Sequence, residues 1–100
     1  VIYVSCLTLA EASDGTAREV AVRRAVKAVR LVDVGPDLGF RAGQLRATAS
    51  ASRRKRRDLT VDAVVAATAL ALPTPVVVLT SDPEDLGLLL AGHDVRIEAV

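Results

Sequence analysis

The chain has 100 residues, 51% of them hydrophobic and 25% charged, with one cysteine and a formal net charge of +1. This excludes an intrinsically disordered segment, a disulfide-stapled scaffold and a cysteine-built zinc site, and leaves room for one domain. No apolar run approaches the roughly 18 residues of a membrane span, and no basic segment with a cleavage site opens the chain, so a soluble cytoplasmic protein is expected.

With one Phe and one Tyr, the core has to be built from Val, Leu and Ala. Val1 to Val4 is β-branched and aromatic and predicts a strand, followed by a short helix around Thr8 to Ala12. Asp14-Gly15 breaks the chain, and Thr16 can cap an amphipathic surface helix carrying Val20, Val22, Ala25, Val26 and Val29. Leu31 to Val34 reads as a short strand, and Pro36 opens a helix reaching about Ser50. After a frayed end and a loop, Thr60 is the expected N-cap of an alanine-rich helix from Val61 to about Leu72, stopped by Pro73 and Pro75.

Val76 to Leu79 is apolar without alternation, the pattern of a strand covered on both faces. Asp82 as N-cap, Pro83 at the first helical position and Asp85 two residues later start a helix that ends by Gly92. Asp94 to Val100 predicts a last strand with Val95, Ile97 and Ala99 alternating against Arg96 and Glu98. Strands separated by helices give an α/β fold with a mostly parallel sheet.

Cys6, in an apolar stretch, reads as a small buried hydrophobe, and His93 as a solvated turn residue. The six scattered glycines form no phosphate-binding loop. The acidic residues are better placed. Glu11 follows the first strand, Asp62 opens the alanine-rich helix, and Asp82 and Asp85 follow the apolar strand. All fall at carboxyl ends of strands or at adjoining helix starts, where α/β sheets bind ligands, and grouped carboxylates call for a hard cation, Mg²⁺ or Mn²⁺. On spacing alone, capping is the stronger reading for Asp82 and Asp85, and a helix-dipole role also accounts for Asp62. Arg53, Arg54, Lys55, Arg56 and Arg57 form a basic run that reads as a solvated loop or as a strip holding phosphates.

Three segments, Ser5-Cys6-Leu7-Thr8-Leu9-Ala10-Glu11, Asp62-Ala63-Val64-Val65-Ala66-Ala67-Thr68-Ala69 and Leu79-Thr80-Ser81-Asp82-Pro83-Glu84-Asp85, together resemble three of the four motifs of PIN-domain ribonucleases, with the VapC-type toxins of toxin-antitoxin pairs as the nearest subgroup. The resemblance spans essentially the whole chain. It implies a three-layer α/β/α fold with a mostly parallel sheet and RNA as the substrate, cut by a water activated on Mg²⁺ or Mn²⁺. By motif position it makes Glu11, Asp62 and Asp82 catalytic, metal-site acids, Asp85 an accessory acid at the metal and Thr80 a hydroxyl beside it. The basic run Arg53 to Arg57 would hold RNA, and a cognate antitoxin and a second copy of the chain are the implied partners.

The family's first motif, an aspartate ending a first strand, has no counterpart here. The chain opens at Val1 without an initiator Met, so it reads as N-terminally truncated relative to the family, lacking that central strand, and is expected to be poorly stable alone. Two alternatives stand beside a metal-dependent endoribonuclease. One is a catalytically silent PIN remnant that binds RNA or an antitoxin only. The other, a receiver-like regulatory domain, requires a late lysine, whereas the only lysines are Lys27 and Lys55.

Overall fold

Residues 2–51 and 58–100 are described by the structure, a computed structural model. They form five α-helices, one short 3-10 turn and four strands, distributed over two compact units, Val1–Gly35 and Pro36–Val100.

In the first unit, strand β1 (Tyr3–Ser5) runs directly into helix α1 (Cys6–Ala12). The helix starts two residues earlier than Thr8 because Ser5 caps it, its hydroxyl accepting the Leu7 N–H at 3.3 Å. Thr16 caps α2 (Ala17–Ala25) as its sequence position predicts, taking the Arg18 N–H at 3.3 Å. The expected single helix through Val29 tightens into a 3-10 turn over Val26–Ala28 before extended backbone resumes at Val29. Strand β2 (Arg30–Val32) pairs parallel with β1, Val4 opposite Leu31. No residue of α1 or α2 is buried.

The second unit carries the aliphatic core. Helix α3 (Pro36–Ala51) turns Ala42, Leu45 and Ala49 inward, a spacing of three and four residues that lines one helical face. Helix α4 (Thr60–Ala71) answers with Ala63, Ala66 and Ala67, small enough for the two helices to pack closely. The buried Thr68 hydroxyl donates to the Val64 carbonyl at 2.8 Å, which satisfies it inside the helix.

The start of α4 differs from the sequence expectation. Leu59, 2% exposed, occupies the cap position and anchors the chain in the core, while Thr60 is already the first helical residue. The capping acceptor comes from one residue further upstream, Asp58, whose Oδ1 receives both the Thr60 N–H (2.9 Å) and the Thr60 hydroxyl (2.6 Å).

Strand β3 (Val77–Thr80) and strand β4 (Arg96–Ala99) are parallel, with Val78 opposite Ile97 and Thr80 opposite Ala99. The connection between them carries α5 (Pro83–Leu89). Burial of β3 on both faces does not hold. Val78 is 6% exposed, whereas its neighbours Val77 and Leu79, pointing to the opposite face, are 49% and 65% exposed. Helix α5 buries Leu86 and Leu89 and stops before Gly92, whose left-handed φ of +81° lets the His93 N–H return to the Leu90 carbonyl at 3.0 Å. Among the described residues no helix is long and apolar enough to cross a membrane.

Candidate metal site at the carboxyl end of strand β3

Asp62 is the third residue of α4, in the first turn, where the peptide dipoles favour a negative charge. Asp82 follows β3 at the cap position of α5, and Asp85 lies in the first turn of that helix. The backbone of this turn is tied down at both ends of Asp82: its N–H donates to the Thr80 hydroxyl at 2.9 Å, and its carbonyl accepts the Leu86 N–H at 3.3 Å. Pro83 at the first helical position fixes the exit from the turn.

These constraints bring three carboxylates together. One oxygen each from Asp62, Asp82 and Asp85 lies within 4.8 Å of the others, with Asp62 and Asp82 half-buried and Asp85 only 5% exposed. The sequence left capping and ligation open for Asp82 and Asp85. In the structure the Asp82 side chain makes no capping hydrogen bond to α5. The donor set is all oxygen and all anionic, without imidazole or thiolate, which suits a hard cation such as Mg²⁺ or Mn²⁺. Thr80 stands next to this group through its bond to the Asp82 amide.

Glu11 is an exposed residue of α1 in the first unit. Arg53, Arg54, Lys55, Arg56 and Arg57 lie outside the described residues. His93 is exposed in a bend, as expected of a turn residue. Cys6 is not the buried hydrophobe its surroundings suggest: it is half-buried, and its thiol donates to Asp33 Oδ1 at 3.4 Å. That hydrogen bond, with smaller contributions from burial and the carboxylate's charge, pushes the thiol pKa up, so Cys6 is a poor nucleophile.

One polar feature near the acids escapes any sequence pattern. Arg46 of α3 donates from Nη1 to the Thr60 Oγ1 at 2.8 Å, linking α3 to the start of the helix that carries Asp62. The Asp58-Leu59-Thr60 spacing is a recognisable local turn signal, but the reach from Arg46 depends on how two helices pack. Thr60's hydroxyl and amide bonds, aided by the Arg46 charge, hold the Asp58 carboxyl below its ordinary pKa.

Comparisons with family models, curated proteins and solved structures return no match to this chain.

Proposed function

We propose that this protein is a metal-dependent endoribonuclease of the PIN-domain, VapC type, with Asp62, Asp82 and Asp85 holding Mg²⁺ or Mn²⁺. The observation that carries the reading is the convergence of these carboxylates, from two motifs twenty residues apart, to within 4.8 Å. A helix-dipole interaction accounts for Asp62 and Asp85 singly, the Asp82 side chain does not cap α5, and neither observation explains why the three meet.

A bound cation of this kind lowers the pKa of its water and offsets charge developing on the scissile phosphate. The chain's own residues set the geometry. Asp85, the most buried of the three, gives a fixed anchor on α5, and Thr80 orients Asp82 through its amide. The resemblance adds Glu11 to the catalytic acids, assigns Arg53 to Arg57 to the RNA backbone, and extends to a three-layer α/β/α arrangement. It also extends to a cognate antitoxin, a homodimer and a cytoplasmic site of action.

The test is cleavage of a structured RNA by the full chain with Mn²⁺ or with EDTA, alongside Asp62→Asn. Cutting that requires both Mn²⁺ and Asp62 is the expected result. Equal cutting in all conditions removes the metal mechanism. RNA binding that weakens steeply with salt but never leads to cleavage replaces the enzyme with a binding module.

A further inference from the structure

Resting on the reading of Asp62 as a metal ligand, we infer that Arg46 is a positioning residue for Asp62, acting through Thr60. The first turn of a helix is its least secured part, because its N–H groups have no partners within the helix. In α4 the cap residue Leu59 offers no side-chain acceptor, and the first intrahelical bond is Ala63 N–H to the Leu59 carbonyl at 2.7 Å. Asp62 sits inside this turn.

What secures the turn is a relay of hydrogen bonds. Arg46 Nη1 donates to the Thr60 Oγ1 (2.8 Å), and the Thr60 hydroxyl and amide both donate to Asp58 Oδ1 (2.6 and 2.9 Å). Arg46 belongs to α3, whose buried face packs on α4, so the relay fastens the loose end of one helix to the body of another. Asp62 has to hold its place within 4.8 Å of two further carboxylates, and small displacements of a ligand are costly at a site that depends on its preset geometry.

Position and charge make opposite predictions for Arg46. On charge alone, removing a cation near an acidic site tightens binding of a metal cation. If Arg46 acts by position, its removal weakens that binding. Binding of Mn²⁺ to the full chain, read from the resonance of free aqueous Mn²⁺, separates the two. Arg46→Met and Thr60→Val are each expected to weaken Mn²⁺ binding roughly tenfold, the lower end of the range for outer partners of metal ligands. Thermal midpoints without metal identify any variant that has lost its fold. Arg46→Lys recovers part of the loss, the double variant is no worse than Thr60→Val alone, and Arg41→Met, on the exposed side of the same helix, changes nothing.

Wild-type protein that binds Mn²⁺ while folded Arg46→Met and Thr60→Val bind it as well or better overturns the positioning role and leaves the metal reading intact. Wild-type protein that binds no Mn²⁺ removes the metal reading, and this inference with it.

Discussion

Divalent cations should stabilise the second unit, and Asp62→Asn should remove most of that effect. With carboxylate oxygens within 4.8 Å of one another, each fully charged pair repels by about 3.5 kcal/mol at an effective dielectric constant of about 20. Three such pairs total on the order of 10 kcal/mol, comparable to the whole stability of a small domain, although solvent at the half-exposed Asp62 and Asp82 reduces the sum. Positive charge placed among the three oxygens offsets this mutual repulsion. A cation present at about one hundred times its dissociation constant adds about 2.7 kcal/mol. In a unit of this size that raises the melting temperature by roughly 10 to 20 °C. Far-UV circular dichroism is the suitable probe, since the chain has no Trp and a single Tyr and its second unit is mostly helical. Mn²⁺ is expected to shift the wild-type transition upward and to shift that of Asp62→Asn by less than half as much. Equal shifts in both proteins, or none in the wild type at saturating Mn²⁺, refute the reasoning.

Three further outcomes follow from the packing and the titrating groups. Leu86, 1% exposed in α5, should cost about 2 to 5 kcal/mol when replaced by Ala, measured by urea unfolding; a loss under about 1 kcal/mol contradicts its place in the core. Leu79→Ser should leave stability within about 0.5 kcal/mol, because Leu79 faces outward, whereas Val78→Ser, one residue away on the buried face, should cost several times more. Asp58 has its folded-state pKa lowered by Thr60, so its contribution is present above the unfolded pKa and is lost as pH falls through the folded one. Asp58→Asn should therefore flatten the fall in urea midpoint between neutral pH and about pH 3, and an unchanged slope rules out this source.

The local start and stop signals of the helices are well written in the sequence. Pro36 and Pro83 open α3 and α5, Thr16 caps α2, and the acids of the Asp82-Pro83-Glu84-Asp85 turn fall where the sheet-edge argument places them. Less legible are features decided by what packs against what. Val76 to Leu79 has the composition of a strand covered twice, yet apolar composition does not say how many layers will cover it, and the Val77 and Leu79 face remains exposed. Thr60 is a good cap by type, but burial of Leu59 moves the helix start by one residue and passes the capping task to Asp58. Cys6 meets Asp33 across 27 residues of chain, and Arg46 meets Thr60 from a neighbouring helix, so neither pair has a local signature. The meeting of Asp62 with Asp82 and Asp85 is of the same long-range kind, and the sequence points to it only through the placement of these acids at the carboxyl end of a strand and at adjoining helix starts.

The central claim is that Asp62, Asp82 and Asp85 jointly hold one hard cation. A crystal of the full chain grown with Mn²⁺, with anomalous diffraction recorded at the manganese edge, tests it most directly. The expected result is a peak between α4 and α5 bonded to an oxygen of each aspartate. No peak there in crystals containing Mn²⁺, or a peak bound only at other residues, would contradict it.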